Sequence, residues 1–129
     1  MRYQDTGQLT QVALEAHFEK ADLERVIIHH SQKWLRYMRP FGGGLGLSLG
    51  WHIFILYEPT DTLRFTKMVA HEIVHSIQVK DTGLWPHLRQ YLIDRISHLG
   101  THVSKLPLER PAYEMQFIVE RELRQQGIS

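Results

Sequence analysis

The chain has 129 residues and contains no cysteine. Disulfide bonds and thiolate zinc sites are therefore excluded. The chain also has no large excess of either charge, because it contains 15 Lys and Arg and 14 Asp and Glu. The basic residues do not cluster in any one segment. Because proteins that bind nucleic acids present a basic surface, this balance argues against a nucleic-acid partner.

Long apolar segments are missing as well. Residues 1–10 are polar and lack the apolar core of a secretion signal, and the longest apolar run, residues 53–57, is far too short to cross a bilayer. We therefore expect no membrane association and a cytoplasmic location, unless a dedicated machine exports the protein. The chain also has no repeat, low-complexity tract or linker, so we expect one domain over residues 1–129. No feature of the sequence specifies an oligomeric state.

The pattern that the chain does contain is H-E-x-x-H at residues 71–75. Residues four apart on a helix lie one turn apart on nearly the same face, so the imidazoles of His71 and His75 can bind one divalent ion. Glu72 lies about 100° further round the axis, too far to join them as a ligand. Its carboxylate is placed to act as a general base toward a water on the metal. The pattern therefore predicts hydrolysis of a peptide bond.

The residues around this pattern predict a buried helix over residues 62–80. Thr60 or Asp61 can cap its start, and Gly83 suits the left-handed position after its last turn. Apolar side chains point almost all round the helix: Leu63, Phe65, Met68, Val69, Ile73, Val74 and Ile77. Polar groups buried in such a helix need a partner, and a metal ion would satisfy them. The alternative is a pair of core histidines bonded to backbone carbonyls.

A catalytic zinc site requires a third protein ligand. The extended pattern with a third histidine fails here, because Gln78 and Asp81 stand at the positions of its glycine and last histidine. The candidates further along the chain are Asp94, His98, His102, Glu109 and Glu114. We favour Glu109, because it falls in the first turn of a helix predicted to begin near Pro107. The small Ala112 that follows would let this helix approach the metal helix closely.

H-E-x-x-H followed by Glu109-x-x-Ala112 resembles the gluzincin metallopeptidases. The chain looks most like the small metallopeptidase domain associated with bacterial contractile injection systems and polymorphic toxins. The matching stretches are residues 14–18, 22–29, 44–50, 53–55, 69–78 and 106–113. The resemblance implies that His71, His75 and Glu109 are the ligands of one zinc ion and that Glu72 is the base. Many gluzincins carry an aspartate four residues after the ligand glutamate, where it supports a ligand histidine; Tyr113 stands there instead.

The remaining pattern predicts an α+β fold. We expect a first helix over residues 9–20 and, after the metal helix, two more over residues 84–99 and 107–126. A small antiparallel or mixed sheet, with strands near residues 25–29, 45–49 and 52–57, precedes the metal helix. The last of these strands is interpreted as sheet core, and one edge of it is a candidate for binding an extended peptide. The resemblance to gluzincins implies that the strand before the metal helix binds the extended substrate along its edge.

Two tyrosines are further candidates for the site. Tyr91 falls on the helix between the two predicted ligand helices, and Tyr113 falls on the second of them. Each could donate a hydrogen bond to an oxyanion or support a metal ligand. A role in the core is the simpler explanation for Tyr91. Taken together, the sequence predicts a zinc-dependent endopeptidase that acts on a peptide or protein substrate. The alternative is a metal-stabilised binding or delivery module, or a toxin-associated one, with little or no turnover.

Overall fold

The computed structural model describes residues 1–41, 45–97, 100, 102 and 105–129, with residues 38–41 described by their backbone alone. The α+β fold expected from the sequence is confirmed. The α-helices of this part of the chain are α1 (Gln8–His17), α2 (Lys20–Arg25), α3 (Thr62–Thr82), α4 (Leu84–Ser97) and α5 (Glu109–Gln125). The strands are β1 (Ile27–His29), β2 (Gly46–Leu49) and β3 (His52–Ile55), and short 3-10 helices cover Tyr3–Asp5 and Lys33–Phe41.

The three strands form one mixed sheet in the order β1-β3-β2. β1 runs parallel to β3, with Ile28 opposite Ile53, whereas β2 is antiparallel to β3, with Gly46 opposite Ile55. Both edges of β3 are therefore paired, and the expectation that an edge of this strand binds a peptide is wrong. The cause is the parallel pairing with β1, which comes from a distant part of the chain. Within the described sheet β2 pairs with β3 alone and is an edge strand.

Helix α3 forms the centre of the molecule. Its side chains Phe65, Val69 and Ile73 are fully buried, and they belong to one core with Ile53 and Ile55 of β3. Full burial of each such side chain contributes about 1.5–3 kcal/mol, so this packing fixes α3 firmly against the sheet. As predicted, the helix is buried on most sides. It ends at Gly83, whose φ of 88° a side chain would disfavour.

The first helical region differs from the expectation of one helix over residues 9–20. The chain forms α1 and α2 instead, separated near Phe18, whose backbone is extended (φ −127°, ψ 147°). Leu14 and Leu23, one on each helix, are both fully buried. On one continuous straight helix these two leucines, nine residues apart, would lie about 180° apart around the axis, and only one of them could face the core. The bend lets both enter the core, and neither proline nor glycine marks it in the sequence.

The helices after α3 agree with the expectation except at their ends. α4 is described from Leu84 to Ser97, and the last predicted residues, 98 and 99, lie outside the described part. α5 begins at Glu109 with Leu108 as its N-cap, so Pro107 precedes the first turn instead of standing in it. Among the described helices, none is both long enough and apolar enough to cross a membrane.

Candidate metal centre

Helices α3 and α5 bring together three buried side chains that could bind a metal ion. His71, His75 and Glu109 are only 5–7% exposed, and one ligand atom from each lies within 4.8 Å of the others. His71 Nε2 is 3.1 Å from Glu109 Oε2, and His75 Nε2 is 2.9 Å from Glu109 Oε1. In the described part of the chain this is the one such group of three or more His, Asp or Glu side chains.

The close packing of α5 on α3 explains why Glu109 reaches the histidines. The first residues of α5 turn sharply, since the backbone N–H groups of Glu109 and Arg110 both donate to Leu106 O, at 3.0 and 2.8 Å. Ala112 is fully buried, and its small side chain permits the approach. The structure thus places the carboxylate where the sequence predicts it.

Among the described residues, none of the other candidates for the third ligand belongs to this group. Glu114 and His102 are exposed to solvent, and His98 lies outside the described residues. Asp94 is buried on α4 and accepts a hydrogen bond from Gln90, but it does not belong to the group of three. Glu109 is therefore the candidate that the fold brings to the histidine pair.

Each histidine is fixed by a glutamine on the far side of its ring. His71 Nδ1 donates to Gln116 Oε1 and His75 Nδ1 donates to Gln78 Oε1, both at 2.9 Å. The amide of Gln78 is oriented by its own nitrogen, which donates to Leu108 O at 2.9 Å. An Nδ1–H that donates to an acceptor leaves the Nε2 lone pair of a neutral ring available to a metal. The tautomer that suits a ligand histidine is thus favoured at both positions.

The chemistry of this donor set fits a cation. Once Nδ1 carries the ring proton, each Nε2 and the Glu109 carboxylate are acceptors that face one another, and they need a proton or a metal between them. His75 Nε2 is buried and lies close to Glu109, yet the alignment does not make a hydrogen bond, and none of the described residues supplies another partner. A shared metal ion would satisfy this atom.

The pKa values of His75 and Glu109 are shifted by the attraction between their opposite charges. Burial alone would lower the pKa of His75, but the adjacent carboxylates of Glu109 and Glu72 raise it to about 9. Burial would raise the pKa of Glu109, but its contacts with His71 and His75 lower it to about 2. The carboxylate is thus held in its charged, metal-binding form by its two neighbours.

Glu72 lies beside the cluster without belonging to it. The residue is 4% exposed, and its Oε1 is 4.0 Å from His71 Nε2. Burial raises the pKa of Glu72, and the charge of Glu109 adds to the rise, whereas His75 and His71 oppose it. The position agrees with the sequence argument that a residue 100° from His71 cannot join the two histidines as a ligand.

Strand β2 packs directly against Glu72 through a glycine. A Cβ at Gly46 would lie 3.0 Å from both Cγ and Oε1 of Glu72, closer than side chains normally approach. The contact continues along the strand, because Ser48 Oγ is 3.1 Å from Ser76 Oγ on α3. The edge strand of the sheet therefore borders the carboxylate.

The two tyrosines singled out in the sequence both lie near the cluster. The ring of Tyr113 stands perpendicular to that of His71, with centroids 4.7 Å apart. Burial raises the pKa of Tyr113 and of Tyr91, and the charge of Glu109 raises both further. Tyr113 packs against the ligand ring, and Gln116 supplies the hydrogen bond that the resemblance would assign to an aspartate at position 113.

Sequence reasoning missed two residues of this region, Gln116 and His87. His87 is 8% exposed, and its ring centroid is 5.9 Å from that of His75 at an angle of 69°. Burial lowers the pKa of His87, and a charge on His75 lowers it further. The available signal was its spacing from Tyr91, which follows one helical turn later on the same helix face.

Comparisons with models of known protein families, with curated proteins and with solved structures find no match for this chain. The argument for a function therefore starts from the geometry of the centre and from the chemistry of its side chains.

Proposed function

We propose that the protein is a zinc-dependent endopeptidase of the gluzincin type, in which His71, His75 and Glu109 hold one zinc ion. The observation that carries the proposal is the buried Glu72 carboxylate beside a three-residue ligand set. Structural zinc sites use four protein ligands, whereas catalytic sites use three and leave the remaining position open. Two histidines and a glutamate are one of the known catalytic sets.

The residues of the chain divide the chemical work among them. Zinc, when bound, would act as a Lewis acid toward the substrate carbonyl and lower the pKa of a water molecule. Glu72 would take up the proton of the attacking water at Oε1, which borders the cluster, and would pass it to the amine of the departing peptide. The rings of His71 and His75 would keep their orientation toward the metal through Gln116 and Gln78.

The edge strand β2 supports a polypeptide as the substrate. An extended chain can add to an exposed sheet edge, where backbone hydrogen bonds give affinity that depends little on side chains. A polypeptide on β2 would pass the Glu72 carboxylate, because Gly46 lies against that side chain. The proposed peptide-binding edge is thus β2, one strand away from the edge that the sequence suggested.

Replacing Glu72 tests the proposal. Glu72→Gln keeps the size and shape of the side chain but removes the base, so we expect about one zinc per chain with cleavage of casein slowed by about 10²–10⁴-fold. Metal content would be measured by elemental analysis and cleavage by release of labelled peptides. The matched control is Glu114→Gln, the same change at an exposed position of α5, which should cleave casein at the wild-type rate.

Two outcomes would contradict the proposal in different ways. Cleavage by the Glu72→Gln protein at nearly the wild-type rate would place the chemistry elsewhere. A wild-type protein that holds zinc but shows no cleavage dependent on Glu72 would favour the alternative, a metal-stabilised binding, delivery or toxin-associated module.

A further inference from the structure

Two histidines from neighbouring strands face each other away from the metal centre. Nε2 of His29, on β1, and Nδ1 of His52, on β3, are 3.1 Å apart. The ring planes differ by 20° and the centroids are 5.4 Å apart, so the two nitrogens point toward each other almost in line, with one N–H between them. His52 is exposed and His29 is half-buried, so solvent reaches the pair.

The pair lies on the face of the sheet that turns away from α3. Successive side chains of a strand point to opposite faces, and Ile53 and Ile55 of β3 belong to the core that also contains side chains of α3. His52 and Phe54 therefore point to the other face. The pair is thus separate from the centre on α3 and α5, and what it binds does not depend on the proposed peptidase function.

Phe54 holds the ring of His29 in place. The two residues are opposite each other on β1 and β3, and their rings stack with centroids 4.6 Å apart and planes 13° apart. A ring held in this way presents its nitrogen in a constant direction. Burial, the neighbouring His52 and the ammonium group of Met1 lower the pKa of His29, so its imidazole is mostly neutral at pH 7 and keeps a lone pair for a metal ion.

We propose that His29 and His52 form a second metal site, which binds an exchangeable divalent transition-metal ion. Imidazole nitrogens suit Cu²⁺, Ni²⁺ and Zn²⁺, and Cu²⁺ binds most tightly of the three. The ion takes the place of the shared N–H, whose proton moves to the other nitrogen of the same neutral ring. Two bonds of about 2.0–2.1 Å require the nitrogens to separate by up to about 1 Å, and the exposed ring of His52 can turn by this amount.

Water would complete the coordination of the ion. Among the described residues, no third His, Asp or Glu joins the pair within ligand distance. A site without carboxylates does not suit Mg²⁺ or Ca²⁺, which prefer oxygen ligands. With two protein ligands, and with the ammonium group of Met1 repelling a cation, the ion should exchange with solvent.

Titration of the tag-free, zinc-loaded protein with Cu²⁺ tests the site by NMR. Copper broadens the signals of nuclei close to it, so we expect the backbone amide signals of Ile28, Ile53 and Phe54 to disappear. These residues lie beside the pair on β1 and β3, so their signals distinguish it from the buried centre, which lies on the other side of the sheet. The concentration dependence of the broadening gives the affinity for copper.

Replacing one histidine of the pair should weaken this binding. In His52→Gln one nitrogen remains, and we expect copper affinity to fall about tenfold or more, because the second nitrogen of a pair binds an ion that the first already holds. His29→Gln removes the other ligand and should show the same loss. The matched control is His30→Gln, the same change at the next residue, whose Nδ1 is 2.9 Å from Ser31 Oγ; this variant should bind copper like the wild type.

Two results would overturn the assignment. If the signals of Ile28, Ile53 and Phe54 persist after copper has filled the buried centre, the pair does not bind the ion. If His52→Gln and His30→Gln bind copper equally well, single surface histidines account for the binding. Neither result bears on the peptidase function, which the Glu72 variant tests separately.

Discussion

Each histidine of the centre uses its two ring nitrogens for different purposes. Nδ1 donates to a glutamine, and Nε2 faces Glu109. The glutamine of His75 also links the two ligand helices, since Gln78 donates to Leu108 O, and Leu108 immediately precedes Glu109. The orientation of His75 and the position of the Glu109 carboxylate are thus connected through one amide. A glutamine can do this because it carries both an acceptor and a donor.

Removing the amide of Gln116 should weaken the binding of zinc. Gln116→Met has a similar length but accepts only weak hydrogen bonds, so the His71 ring loses the partner that fixes its tautomer. We expect zinc affinity to fall about 10–100-fold, as measured by competition with a chromophoric chelator. Gln125→Met, the same change at an exposed position of α5, is the control and should bind zinc like the wild type. Equal affinities in the two variants would show that Gln116 does not orient the ligand.

Among the elements, α3 carries most of the residues of the candidate metal centre, and β2 and α4 border it. The residues on α3 and the start of α5 could be predicted from the sequence, because both signals are local: a spacing of four on a helix, and a carboxylate in a first helical turn. The strand order could not be predicted from the sequence, because the central position of β3 depends on its pairing with the distant strand β1. His87 and Gln116 were missed for the same reason. Their partners lie on another helix, and only packing brings them together.

The contact of β2 with α3 should be sensitive to one methyl group. In Gly46→Ala the new Cβ would lie 3.0 Å from Glu72 Oε1 and Cγ, so Glu72 or the strand must shift. A contact of 3.0 Å requires a shift of a few tenths of an ångström. Because a displacement of about 1 Å can cost 10²-fold in rate, we expect this smaller shift to lower kcat by about threefold to tenfold. Zinc content should be unchanged, since Glu72 is not a ligand. In Gly7→Ala a Cβ meets no atom within 4 Å, so this control should keep full activity. Full activity of Gly46→Ala would mean that the contact does not position the base.

At the scale of the whole molecule, the centre joins two parts of the chain that are distant in sequence. His71 and Glu109 are 38 residues apart, with α4 between them, and they meet in a buried position beside the core. A metal held by both helices would bind the folded protein far better than the unfolded chain, in which the ligands are not assembled. Metal binding should therefore stabilise the fold as a whole, and each ligand should contribute to that stabilisation.

The metal-dependent part of the thermal stability identifies the third ligand. Zinc at 100 times its Kd would stabilise the fold by about 2.7 kcal/mol, which for a domain of this size raises Tm by roughly 10 °C. We expect this rise to disappear in Glu109→Gln and to persist in Glu114→Gln, because Glu109 is buried against the histidines and Glu114 is exposed. Calorimetry would compare the Tm of each variant with added zinc and with a chelator. Because both values come from the same variant, the loss of the Glu109 ion pairs in Glu109→Gln lowers both and does not affect the difference. An identical rise in both variants would exclude Glu109 as a ligand, and the group of three would then lose its carboxylate member.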